Sequence, residues 1–194
     1  MLMLAAGLVL FIGIHLLTTQ RATRAALIGR FGEKGYKGIY SAIAIAGLAL
    51  TVYGFGAYRA SGYVPVWEPP RALGHAAMLL VLPAFVLLAV NQRPKSWIRA
   101  KTRHPMLLGI KLWATAHLLA NGDLGSIVLF GSILGWAVYA RVSLKAREAA
   151  EGAPDRTIAR MAADDWRALV IGPAAYALFV LWLHEWLIGV PVAG

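Results

Sequence analysis

The chain has 194 residues, 59% apolar and only 14% charged, with 19 Lys and Arg against nine Asp and Glu. About a quarter of a soluble chain is charged, so the composition argues against a water-soluble globular domain. Cysteine is absent, which excludes disulfides, iron–sulfur clusters and thiolate haem ligation within this chain.

Six apolar segments follow in order, at residues 2–19, 38–58, 72–90, 105–121, 124–142 and 168–188. Each is near the ~20 residues that cross a hydrocarbon core of ~30 Å. No period-two alternation supports a barrel, and unpaired strands are not viable in lipid. The expected fold class is therefore all-α: a polytopic membrane helical bundle of about six transmembrane helices, forming a single domain over 1–194.

The first segment lacks a basic start, has a long apolar run and is followed by positive charges. It reads as an anchor inserted with its N-terminus out, not as a cleaved signal peptide. Connection 1 carries Arg21, Arg24, Arg30, Lys34 and Lys37. Connection 2, residues 58–71, holds Tyr58, Tyr63, Trp67 and three prolines. It reads as an aromatic cap at the outer interface, and in a sharper form as a lid. Connection 3 carries Arg93, Lys95, Arg99, Lys101 and Arg103. The fourth and fifth segments are separated only by Asn121-Gly122-Asp123, a tight hairpin in which Gly122 is expected at positive φ. In the fifth, Gly131 and Gly135 form a G-x-x-x-G pair that predicts close helix packing. Connection 5 is broken by Gly152-Ala153-Pro154, which predicts two short amphipathic surface helices.

Connections 1, 3 and 5 hold sixteen of the 19 basic residues, whereas connection 2 has only Arg59 and Arg71. The positive-inside rule places both termini outside the cytoplasm. The net charge of +10 thus reads as a topology signal and an attraction to anionic membrane lipids, with no nucleic-acid partner expected. A bacterial inner membrane is the simplest home, because the basic bias is clean and no organelle-targeting segment precedes the first span.

Ionisable groups at membrane depth are costly and usually mark function. At 1.5 Å per residue, His75 lies roughly 5 Å and His117 roughly 8 Å from the outer face, and His15 lies roughly 6 Å from the inner face. His104 sits at the inner boundary. His184, between Trp182 and Trp186, reads as an interfacial histidine of an aromatic belt. Asn121 lies one turn beyond His117 and can orient its imidazole; Trp113 lies one turn before it. Met78 is one turn from His75. Two imidazoles at one depth on different helices suit a six-coordinate b-type haem, with His117 and His75 on the iron and His15 as the alternative. A metal without haem would want a third ligand. Lys111, seven residues after His104, is expected to face inward to an anionic group such as a haem propionate or a lipid phosphate, or else to snorkel.

The residues Arg103-His104-Pro105, Gly109, Trp113, the run His117 to Asp123, and Leu129-Phe130-Gly131 resemble the NnrU family. So do Gly7, Phe11-Ile12-Gly13-Ile14-His15, Gly32-Glu33-Lys34-Gly35-Tyr36, Tyr40-Ser41 and residues 67–75. That family comprises bacterial membrane proteins associated with nitrite and nitric oxide reduction. The resemblance covers about residues 1–140. It implies a role in denitrification, beside respiratory nitrogen-oxide reductase components. The chain is also similar to the 15-cis-ζ-carotene isomerases, membrane enzymes with a histidine-held b-haem. That likeness makes His117 the best ligand candidate and leaves a haem-dependent carotenoid or lipid isomerase as an alternative. Arg103-His104-Pro105 with Gly109 also looks like part of membrane methyltransferases, but their adjacent Glu pair is missing: Glu148 and Glu151 are three apart. A cofactor-free structural partner completes the expectations.

Overall fold

The computed structural model describes residues 1–152 and 157–192. Its helices are α1 (Leu2–Leu17), α2 (Arg21–Ala60), α3 (Arg71–Asn91), α4 (Trp97–Thr102), α5 (Pro105–Ala120), α6 (Leu124–Glu151) and α7 (Ala163–Leu178). A π-helical turn, Phe179–Leu183, joins α7 to α8 (His184–Ile188). Among the described residues, extended pairing is confined to one isolated bridge, Pro65 to Asp123. The fold is all-helical, and every apolar segment of the sequence lies in helix.

Four helical stretches are long and apolar enough to cross a membrane: Arg21–Ala60, Arg71–Asn91, Leu124–Glu151 and Ala163–Ile188. The other two apolar helices, α1 and α5, have 16 residues each. At 1.5 Å per residue that is about 24 Å, shorter than a full hydrocarbon core. Val9, Ile45, Val52, Leu79, Val170 and Leu181 are all more than three-fifths exposed. Such large apolar side chains on helix exteriors suit lipid better than water.

The chain forms two compact units, one of Met1–Pro69 with Asn121–Lys145 and the other of Pro70–Ala120 with Ala146–Gly194. In the first unit, α1 packs along α2. Glycine makes that contact possible. A methyl group on Gly7 would meet the Thr51 hydroxyl at 2.6 Å, and one on Gly47 would meet the Phe11 backbone nitrogen at 2.7 Å. One on Gly54 would strike the backbone of Met3 and Leu4. The two backbones therefore touch with no side chain between them, as small residues permit in apolar helix pairs. Thr51 is buried at this contact and donates its hydroxyl proton to the Gly47 carbonyl at 2.8 Å. Gly131 and Gly135, expected to do this work, have nothing within 4 Å of where a side chain would begin. Gly32, at φ 70 and ψ 165, breaks α2, so much of basic connection 1 is itself helical.

In the second unit, α3 packs against both α5 and α7. Leu87, Val90 and Ala168 form a buried cluster joined by Ile98, Leu108 and Leu112. A single carboxylate organises the polar end. Asp165 is fully buried and accepts from the Ser96 hydroxyl at 2.6 Å, the Trp97 and Ile98 amides at 2.9 Å and the Ala162 amide at 2.8 Å. Ser96 in turn caps α4 by accepting from the Arg99 amide at 3.0 Å. One side chain thus ties the entry of α4 to the start of α7.

The two expected amphipathic helices of connection 5 are not found among the described residues. The run 145–151 continues α6, Gly152 ends it at φ 85, and residues 157–162 are not helical. Ala153 and Pro154 of the predicted break lie outside the described residues.

Replacing Gly47 by Val is expected to destabilise the detergent-solubilised protein by about 1–3 kcal/mol through overpacking. Gly131→Val should change little, because its side chain enters open space. Asp165→Ala, which strands a hydroxyl and three amides, should cost roughly 3 kcal/mol or more. Thermal unfolding of the three variants checks the ranking, and equal melting of Gly47→Val and Gly131→Val would refute the glycine contact.

Candidate functional site

The polar equipment of α5 begins at its entry. Arg103 takes φ 61 and ψ −48, a strained conformation for a residue with a side chain. His104 precedes a proline, which disfavours helix at that residue, while Pro105 suits the first turn of the next helix. Chain direction therefore changes over two residues. The His104 carbonyl accepts from the Leu108 amide at 3.1 Å. Its Nε2 lies 2.9 Å from Glu148 Oε1, with both side chains under 15% exposed. Arg103 Nη1 lies 3.5 Å from the other oxygen of Glu148. Sequence reasoning missed this partnership: the residues are 44 apart, and the reach of Glu148 depends on α6 continuing past the expected end of its span.

His117 is half-buried on α5. Its Nδ1 lies 2.8 Å from the Trp113 carbonyl, and the two rings are 4.8 Å apart. A carbonyl only accepts, so Nδ1 carries the proton and Nε2 holds the lone pair that a metal needs. His75 repeats the pattern on α3, with Nδ1 3.2 Å from the Arg71 carbonyl, but its side chain is exposed. Met78, one turn on, is half-buried. His184 follows the π-helical turn. Its Nδ1 lies 2.7 Å from the Val190 carbonyl, its ring 5.8 Å from that of Phe179, and it is near enough to His117 to act on it electrostatically. The sequence reading did not foresee that neighbour. His15 belongs to the first unit, with Nδ1 2.6 Å from the Phe11 carbonyl and its ring between Tyr40 and Trp136. Lys111 is half-buried on α5, and Asn121 is the first residue beyond that helix. Among the described residues, no three His, Asp or Glu come together as a metal cluster.

Connection 2 is anchored to the turn after α5, both within the first unit. The Gly122 carbonyl accepts from the Val66 and Trp67 amides at 2.8 and 3.0 Å, and the Leu124 amide donates to Val64 at 2.9 Å. Gly122 is not at positive φ, contrary to the sequence expectation. Glycine is needed there because the Trp67 carbonyl occupies the space of a Cβ. Asp123 caps α6, accepting from the Ser126 amide at 2.9 Å and the Ser126 hydroxyl at 2.6 Å. Tyr58 adds a hydrogen bond to Asp123 and accepts from the Val64 amide at 2.8 Å. Burial pushes the Asp123 carboxyl up, but the bonds from Ser126 and Tyr58 outweigh it and hold it below its ordinary value of 3.8.

An all-helical fold with four stretches long and apolar enough to cross a bilayer defines the class: a helical membrane protein. The chain matches the family model described as NnrU protein over residues 3–192, and it belongs to the NnrU family. No curated protein and no solved structure matches it.

Because the folded-state value of Asp123 is depressed, its contribution to stability is present above pH 3.8 and is lost as the pH falls through the folded value. Asp123→Asn is expected to flatten that acid limb and to loosen connection 2. Hydrogen exchange at the Val66 and Trp67 amides, followed with pH, reads both effects.

Proposed function

We propose that this NnrU protein is a b-haem-binding inner-membrane protein of bacteria that supports nitrite and nitric oxide metabolism beside respiratory nitrogen-oxide reductase components. The observation that carries the reading is His117, whose Nδ1 proton is directed to the Trp113 carbonyl at 2.8 Å, the tautomer in which Nε2 carries the lone pair of the ring. The donor set fits the group: imidazole, the thioether of Met78 and the Trp113 ring are soft or apolar, as a haem plane requires, and unlike the oxygen ligands of a hydrated divalent ion. Bound haem would supply one-electron or nitrogen-oxide chemistry. His117 and His75 would hold the group through their imidazole nitrogens, with His15 as the alternative to His75. His104 and Asn121 support α5 at its two ends, and Lys111 offers a cation to a propionate.

The proposed topology has six spans in one domain, residues 1–194, with both termini outside. Reporter fusions after residues 95 and 150 should report cytoplasm, and a fusion after residue 65 should report periplasm. The opposite labelling would overturn it.

Purified protein is expected to show a reducible Soret band. His117→Ala should abolish it, as should the variant of whichever partner ligates: His75→Ala on the leading reading or His15→Ala on the alternative, with His184→Ala retaining it. Full haem retention in His117→Ala would reject the ligand assignment. A protein with no Soret absorbance after haem feeding would reject the function.

A further inference from the structure

The first unit holds three buried hydrogen-bond donors without acceptors. The Tyr36 hydroxyl, Trp136 Nε1 and Arg141 Nη1 are shielded from solvent, and none has a hydrogen-bond partner among the described residues. Tyr36 is only 7% exposed. An unpaired buried donor costs on the order of 1–3 kcal/mol, and more when charged. Three in one unit point to an acceptor that the chain itself does not provide.

Ring contacts link Tyr36 to Trp136 through Tyr40 and His15. The His15 ring lies 5.2 Å from Trp136 and 5.5 Å from Tyr40, and Tyr40 lies 6.3 Å from Tyr36. The Arg24 guanidinium sits over the Tyr36 ring at 5.6 Å. Arg141 follows Trp136 on α6 by five residues, about 7.5 Å of helix rise and about 140° round the helix, a gap that its long side chain has to span. This is the end of the unit where α1 finishes, the apolar part of α2 begins and α6 turns basic. It is therefore headgroup level for any bilayer that the apolar stretches cross. Hydroxyl, indole and guanidinium all donate, the surroundings add a second guanidinium, and the nearby Glu33 carboxylate is exposed and paired with Lys37 at 2.7 Å. Such a set selects an oxyanion.

We propose that Tyr36, Trp136 and Arg141, with Arg24 at the rim, bind the phosphate of one membrane phospholipid. The chemistry would also accept free inorganic phosphate, so the two sources are separated by experiment. The proposal does not rest on haem binding, and its readout is phosphorus, not a Soret band.

Full-length protein is purified in mild detergent and its bound phospholipid counted by native mass spectrometry. Wild type should retain about one phospholipid per chain. The combined variant Tyr36→Phe, Trp136→Phe, Arg141→Gln should retain at least roughly tenfold less. Arg141→Lys, which keeps the charge, should keep most of it and guards against a folding artefact, as does unchanged helical circular dichroism. After delipidation, phosphatidylglycerol in mixed micelles should raise the melting temperature of wild type and not of the combined variant. A rise with millimolar inorganic phosphate alone would support the oxyanion site and assign it to the free ion. Retention equal to wild type in the combined variant would overturn the site. So would a wild type with no bound phospholipid and no response to either probe. Loss of Soret absorbance in the combined variant with lipid content unchanged would also overturn it, giving the donors to a haem propionate.

Discussion

A helix surrounded by hydrocarbon has no water to satisfy its polar groups, and that shortage shapes most of the side-chain geometry seen here. The solution is local. His15, His75 and His117 each turn Nδ1 to the carbonyl one turn back. Thr51 bonds the carbonyl of Gly47 in the same way. Each of these residues finds an acceptor along its own helix, so an apolar helix can hold an imidazole without a charged neighbour. The same economy leaves the outer ring nitrogen of each histidine pointing away from the backbone, where a ligand role becomes chemically sensible.

Two carboxylates are surrounded by donors. Asp165 takes four donors from two chain segments, and Asp123 takes three from its own cap and from Tyr58. Both carboxylates stand at helix starts, where the positive end of the helix dipole adds to the hydrogen bonds. They fix connections that would otherwise be loose: residues 96–98 in one case and the aromatic connection 2 in the other.

Helix positions were readable from hydropathy because apolar runs of this length have few alternatives. The break at Asn121-Gly122-Asp123 was readable for the same reason: three polar residues between two apolar runs leave room only for a short connection. What escaped was everything set by tertiary approach. A G-x-x-x-G spacing marks a smooth face but not whether another helix lies on it, so Gly131 and Gly135 looked equivalent to the glycines that matter, Gly7, Gly47 and Gly54. The role of Gly122 was misjudged because a turn glycine suggests backbone freedom, whereas here the constraint is the bulk of the Trp67 carbonyl. Glu148 and Asp165 were visible only as loop charges, since nothing in a one-dimensional pattern pairs residues 44 or 69 positions apart. Among the candidate ligands, the local partner of His117 could be anticipated by counting turns. Its neighbour could not, for a reason that lies in the last helix.

The turn Phe179–Leu183 is π-helical. Such a turn takes in roughly one residue more than an α-helical turn, and each residue of an α-helix advances the bearing by about 100°. A helical wheel drawn straight through Ala163–Ile188 therefore assigns His184, Trp186 and their neighbours to directions they do not take. The wider turn acts as a phase shift: it decouples the facing of the final five residues from the seam on which α7 packs. Removing one residue from the turn would let an unbroken α-helix present the same five side chains on their present bearing. Substituting within it, without changing its length, and restoring α geometry would swing His184 away by about a quarter of the circumference.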